Sequence, residues 1–482
     1  MLRATSPASQ SERTIAALAW ATAHGVLDDC QARFANVIAF LEALPLHLAL
    51  AILREPYCPD RGRPAYDPLL MFRTELARRV LRVDSRDSFA DTVLAPSPFL
   101  RLLLGYPSAG AGRTPSGQTL RRFEHRIVPS RRRGVTLPKK TGHTHDNLSE
   151  RAASFLARAH GRPVAMRRPS TVDRLLRVVG FEPARAAGLI PDDATVITDG
   201  TLIDSRTNPR GQKLCQHGRK SCQCQRRYTD PFARYGYDHH ERRHVYGYNA
   251  SITAVDSLLL DPLAVSITMH PASRHDGVAT LATLTRAVEL YPEAAGCFAT
   301  QDAASDSAAH GWYLRHLGLG PITPVRDPGK GRHAIDNISF TADGVPLCAG
   351  GYPMRPHGTV GERQRWICPG EVATSGVDRH QPCHRWGFRT ISFRPQDSYR
   401  LISALHRGSK AFKAIYARRA AIERSINKPA MADGQLQHGS RVQSRGRHHT
   451  DARRQGGVFF LVGLWHAATA RPRIRVGVPP PS

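Results

Sequence analysis

The stretch ATVITDGTLIDS, residues 194–205, sets the fold class. Ala194–Thr198 is short, apolar and β-branched, which suits a strand buried between layers. It ends at Asp199-Gly200, an acid followed by a residue that lets the backbone turn. A carboxylate straight after an apolar strand either caps a helix or binds a ligand. Working outward, Val245–Val255 and Leu263–Met269 are strand-like, and Asp276–Leu290 has apolar residues at helical spacing. Cys297–Ala299 predicts a short strand leading to Asp302, Ser307–Leu317 a helix, and Ile322–Val325 a further strand. Three strands, then strands alternating with helices, is a mixed α/β order. Asp306 is the better cap for the helix near Ser307, which leaves Asp302 as a candidate ligand.

The chain before this unit is expected to be all-α. Residues 14–55 read as helical, with Phe34, Val37, Phe40, Leu41 and Leu44 on one face. Asp67-Pro68 is a start signal, a capping Asp before Pro at the first helical position. Further helices are expected at Ser88–Leu94, Pro98–Leu104 and Thr114–Ile127. The last carries Arg121 and Arg122 on its outer face, and a helix-turn-helix-like DNA module and a plain bundle with a solvated Arg face fit it equally. Residues 1–128 are therefore the helical N-terminal domain, with DNA binding expected there, and 129–190 a basic linker with helices, Arg131, Arg132 and Arg133 at its start.

The 482 residues carry 68 Lys+Arg against 40 Asp+Glu, a net charge of +28, and most of the cations are Arg. Arg binds phosphate bidentately, so a polyanion, with nucleic acid the commonest, is the expected partner. An Arg-rich composition from a GC-rich genome is the competing explanation. No run of 18 apolar residues exists and the first residues, MLRATSPASQSER, lack an apolar core. Neither a membrane span nor a signal peptide is expected, and the location expected is the cytoplasm, at the nucleoid.

A third acid lies in YARRAAIERSINK, residues 416–428, where Tyr416, Arg419 and Glu423 fall on one face if the segment is helical. On spacing alone an ordinary surface helix explains this as well. Cys215, Cys222 and Cys224, with His217 between, lie in KLCQHGRKSCQCQRRYTDP. The spacing C-x6-C-x-C lacks the C-x2-C knuckle of zinc sites, so reduced thiols in a basic loop are favoured over structural zinc. Cys348, Cys368, Cys383 and His384 lie further on, within residues 327–400, whose ISF, RWICP and RTISF runs suggest a β-rich insertion.

Three blocks taken together resemble the DDE transposases of insertion sequences, in the branch with a Tyr-x2-Arg-x3-Glu signature. VITDGTLIDS is similar to the block with the family's first catalytic Asp. QDAASDSAAHGWYLRHLGLGPITPVR is similar to the block with the second, and YARRAAIERS to the signature helix. His275-Asp276 resembles a His-Asp turn that recurs before the family's first helix. The resemblance implies an RNase H-like mixed sheet with flanking helices, split into residues 191–326 and 401–470 by the insertion. It implies Asp199, Asp302 and Glu423 as catalytic residues holding two Mg2+ or Mn2+ ions, and Tyr416 and Arg419 as DNA contacts or supports of the Glu. The activity implied is metal-assisted nicking at element ends of double-stranded DNA and joining of the 3′-OH to target DNA, by a homodimer on DNA. Departures are Ala304 and Ser305 after the second Asp, and Ala430 where the signature has Lys. A relic that only binds DNA and an RNase H-like nuclease are the alternatives.

Overall fold

The computed structural model describes residues 8–57, 65–81, 83, 85–107, 114–127, 136–137, 171–205, 207–217, 222–228, 230, 233–239, 241–257, 262–274, 276–294, 296–326, 334–369 and 390–422. The fold is mixed α/β. Glu423, Arg131, Arg132, Arg133, His275, Cys383, His384 and Ala430 lie outside the described residues.

Helices come first. Gln10–Ala23 begins at a capping box, with Ser9 accepting from the Glu12 N–H and the Glu12 side chain returning to Ser9. Leu27–Ala43 buries Phe34, Val37, Phe40 and Leu41. The helical stretch expected over 14–55 divides into three α-helices, Gln10–Ala23, Leu27–Ala43 and Leu50–Arg54. It breaks at Gly25, whose φ of 68° is left-handed, and again at Pro45, after which Leu50–Arg54 forms a short helix. Asp67 caps the helix Pro68–Val80, accepting from Leu69 N at 2.8 Å and Leu70 N at 3.2 Å. Phe34 stacks on Phe99 of the helix Pro98–Leu104, with ring centroids 5.5 Å apart.

Buried charge ties the last helix, Gly117–Ile127, to this core. The Glu75 carboxylate accepts from Arg78 Nε at 2.9 Å and from Arg86 Nε at 3.2 Å, and Arg86 Nη2 lies 2.6 Å from Glu124. Burial alone would raise the Glu75 pKa, but Arg78 and Arg86 outweigh it and hold the carboxyl well below its ordinary range. At the helix start a Cβ on Gly117 would sit 2.0 Å from Asp87 Oδ1 and 2.6 Å from Asp87 N, so only glycine allows this approach.

The main sheet follows. Fourteen strands are numbered in chain order: β1 Thr136–Leu137, β2 Thr195–Asp204, β3 Gln212–Lys213, β4 Arg226–Arg227, β5 Arg234–Asp238, β6 Arg243–Val255 and β7 Leu263–Pro271. They continue as β8 Phe298–Thr300, β9 Gly320–Ile322, β10 Ala334–Ile335, β11 Ile338–Ser339, β12 Arg355–Val360, β13 Arg363–Ile367 and β14 Thr390–Phe393. The sheet runs β5-β6-β2-β8-β9, and β7 also pairs with β6. β6 is antiparallel to β2, β5 and β7, while β8 is parallel to both β2 and β9. β5 takes the early half of β6, ending at Gly247, and β7 the later half from Tyr248. The helix Asp276–Leu290 connects β7 to β8, and Ala308–His316 connects β8 to β9. Their Leu281, Leu284, Tyr313 and Leu314 pack on Val196 and Ala299.

Two strand expectations shift. β2 does not end at Asp199; it continues to Asp204, because β6 pairs with it through Asp204↔Gly247. β9 ends at Ile322 instead of running to Val325: the Thr323 carbonyl accepts from the buried Arg407 guanidinium, not from a strand. Residues 334–393 hold a β10-β11 hairpin and the antiparallel sheet β12-β13-β14 around Trp366 and Phe393. β1, β4 and β3 form a small antiparallel sheet of their own.

Among the described residues no single helix is long and apolar enough to cross a membrane. The bent pair Leu27–Ala43 and Leu46–Arg54 reaches that length only together, and its Phe34, Phe40, Leu41 and Leu53 are buried in the helical core.

Candidate functional site

Strand register brings two of the expected acids level. Ile197 on β2 pairs with Thr300 on β8 in parallel, and Asp199 and Asp302 each lie two residues beyond. Alternation assigns the faces. Val196 meets the helices Asp276–Leu290 and Ala308–His316, whereas Ile197 packs with Ile203, Ala250, Ile252 and Ile422. Asp199, two residues after Ile197, shares the face that Ile422 covers. Its Oδ1 accepts from Gly200 N at 2.8 Å, and its Oδ2 lies 3.5 Å from Arg419 Nη2, with both side chains under one-fifth exposed.

Asp302 is both a strand-end acid and a cap. Its backbone is extended, and Oδ1 accepts from Ala304 N at 3.0 Å to start the turn Ala303–Ser305. Asp306 is not the cap. Ser307 takes that place, accepting from His310 N at 3.2 Å. The Asp306 carboxylate is 1% exposed and accepts from Arg326 N at 2.7 Å and from Arg400 Nε and Nη2 at 2.9 and 2.8 Å. Its partner Arg400 is far along the chain, so no local pattern could have foretold the pair.

The Tyr416–Arg419 stretch is not one continuous helix. The helix Lys410–Ala417 stops and residues 419–422 begin a new helical segment. The break is at Arg418, where tight turns close from Arg418 N to Ile415 O and from Ala421 N to Arg418 O, each 3.1 Å. The Arg418 guanidinium holds the break by donating to Asp256 Oδ2 at 2.8 Å and Thr195 Oγ1 at 3.1 Å. Tyr416 stacks on Phe412 beside Ile322 and Ile415, while Arg419 turns to Asp199. Glu423, the next residue after Ile422, is outside the described residues.

On the other face of β2, Asp276 is a neighbour that sequence reasoning passed over as a site residue. A Cβ at Gly200 would lie 3.0 Å from Asn249 Oδ1 and 3.2 Å from Asp276 Oδ1, and Asn249 Nδ2 donates to the Asp276 carboxylate. The His275-Asp276 pair after Pro271 was the available signal. His270, opposite Asn249 on β7, lies 3.0 Å from Thr268 Oγ1. Burial, reinforced by the Arg274 charge, brings its pKa down to about 4.

Of the expected DNA contacts, Arg419 lies against Asp199, Tyr416 stacks on Phe412, and Arg121 and Arg122 lie on the helix Gly117–Ile127. Arg121 pairs with Asp87 at 3.2 Å, Arg122 is exposed, and Arg126 lies over the Tyr57 ring, 4.6 Å from its centroid.

A second cluster joins side chains that sequence reasoning left as loose thiols. Cys215, His217, Cys222 and Cys224 place one ligand atom each within 4.8 Å of the others. Cys215 Sγ lies 3.5 Å from Cys222 Sγ, and Cys224 Sγ 3.4 Å from His217 Nε2. Hydrogen bonds from the Cys215 thiol and the Cys224 backbone hold the Cys222 thiol at about 6. No known protein family and no curated protein matches this chain.

Proposed function

We propose that the chain is a DNA transposase whose α/β unit is RNase H-like, with Asp199, Asp302 and Glu423 as its metal ligands. One observation carries this reading: Asp199 on β2 and Asp302, just past the end of β8, each follow by two residues the parallel pair Ile197↔Thr300, at the centre of a sheet ordered β5-β6-β2-β8-β9 with β7 also on β6. The order supports an RNase H-like assignment because β2 is central, its neighbour β6 is antiparallel to it, β7 and β5 beyond β6 run parallel to β2, and β8 and β9 are parallel on the other side.

The donor set fits a hard divalent cation, since carboxylate oxygens suit Mg2+ and Mn2+ better than thiols or imidazoles do. When bound, a pair of such ions supplies activation of the attacking oxygen and stabilisation of the leaving one. The protein's own contribution is position. β2 and β8 fix the two carboxylates, and Ile422, 1% exposed, seats the segment before Glu423 against Ile197 and Ala250. Arg419 faces the Asp199 carboxylate as its counter-charge. Arg121 and Arg122 supply cations for DNA phosphates, and the excess of 68 Lys+Arg over 40 Asp+Glu fits that partner. In the reaction water opens one phosphodiester at the element end, and the freed 3′-OH then exchanges with a target phosphodiester.

The test is cleavage and joining of a duplex carrying the DNA that flanks this gene, with the full chain and Mg2+. Nicked ends with 3′-OH and joined products are expected. Binding of that duplex without either product would leave DNA binding alone and overturn the enzymatic reading.

A further inference from the structure

We propose that Cys215, His217, Cys222 and Cys224 bind one structural zinc ion that staples the excursion between β2 and β5. The site is independent of the acids on β2 and β8 and does not rest on the function proposed above.

Geometry makes the first argument. Tetrahedral zinc with Zn–S near 2.3 Å and Zn–N near 2.0 Å puts sulfurs about 3.8 Å apart and a sulfur about 3.6 Å from a nitrogen. The protein holds Cys215 and Cys222 sulfurs at 3.5 Å, and the Cys224 sulfur 3.4 Å from His217 Nε2. These two pairs therefore lie within a few tenths of an ångström of tetrahedral spacing, and all four ligand atoms lie within 4.8 Å of one another. Cys215, Cys222 and Cys224 are free thiols, so these sulfurs are available as ligands.

The arms explain why the four converge. β3 and β4 pair antiparallel, Gln212↔Arg227 and Lys213↔Arg226, and the ligands lie between them. Cys215 and His217 come from one arm at i and i+2, and Cys222 and Cys224 from the other at the same spacing. In an extended chain that spacing puts both side chains on one side. Two such arms face to face make a four-ligand cage without any C-x2-C knuckle.

Among its described residues the excursion has little buried apolar material to hold itself. Among the described residues of 205–233, the buried apolar side chains are Cys222, Tyr228 and Ala233, while Leu214 is 45% exposed. Small units without a core of their own commonly use a metal in its place.

The experiment is metal analysis of the full chain, purified under reducing conditions without chelator, with cobalt substitution as a second readout. One zinc per chain is expected, and Co2+ should give the visible absorption of a tetrahedral thiolate site. The double change Cys222→Ser and Cys224→Ser should lower zinc from one equivalent to none, and His217→Cys should keep the full equivalent. Wild-type protein that takes up neither zinc nor tetrahedral Co2+ overturns the proposal, as does a full equivalent retained by the double variant. If the double variant fails to fold, the wild-type cobalt spectrum decides on its own.

Discussion

Asp302→Asn separates the cap that Asp302 forms from the metal-ligand role proposed for it. As a cap, the carboxylate accepts one hydrogen bond from Ala304 N at 3.0 Å. Asn keeps an acceptor oxygen in the same place and caps about as well, so folding should change by roughly 0.5 kcal/mol or less. As a metal ligand, the same side chain loses the charge that holds a hard cation. Several kcal/mol of transition-state stabilisation go with it; about 4 kcal/mol corresponds to roughly a thousandfold in rate. Asp302→Ala should lose the same activity and, because the cap is gone, about 1 kcal/mol of stability as well. The assays are single-turnover nicking of an element-end duplex in Mg2+, and chemical denaturation of each variant. DNA affinity should be unchanged in both. An Asp302→Asn protein that nicks within tenfold of wild type would mean that Asp302 is only a cap, and the two-carboxylate reading of β2 and β8 would fall with it.

Three further outcomes are expected. Gly117→Ala should destabilise the helical unit by about 2 kcal/mol or more, since the new methyl meets Asp87 backbone at 2.6 Å, and a denaturation midpoint will show it. His270, with its pKa brought down to about 4 from an ordinary 6.5, favours the neutral form when folded. The unfolded chain therefore binds more protons between these values, and stability should fall as pH drops through that window; His270→Gln should flatten this limb of a stability–pH curve. Replacing Arg131, Arg132 and Arg133 together by Ala should weaken binding to all duplexes alike and reduce the slope of log affinity against log salt by about 2.7, read by anisotropy titration.

Much of the sheet could be read from residue pattern alone. Val245–Val255 and Leu263–Met269 are β-branched runs, and Asp276–Leu290 repeats apolar residues at helical spacing. These are local signals, and the strands β6 and β7 and the helix that follows them fall there. What escaped was set by distant partners. The extension of β2 past Gly200 depends on β6, the break at Arg418 on Asp256 and Thr195, and the burial of Asp306 on Arg400. The level placement of Asp199 and Asp302 could be expected only as two strand-end acids; their registry is a property of the β2–β8 pairing. His217 was visible among the cysteines, but its place with them needs the two arms of a hairpin, a geometry that spacing rules built on C-x2-C do not describe.

The two-residue strand β1 has a consequence for reach. Thr136 pairs with Arg227 of β4, and the helix Gly117–Ile127 ends only nine residues earlier. A fully extended chain covers at most about 3.3–3.6 Å per residue, so this leash is no longer than about 30 Å. That is less than one turn of duplex DNA, about 34 Å along its axis. On the proposed function, a duplex contacted by Arg121 and Arg122 would have the cysteine-bearing hairpin and its exposed Arg227 within about one turn of that contact. Chain connectivity thus sets an upper limit, not a fixed length, on how far apart these two arginine-bearing elements can stand.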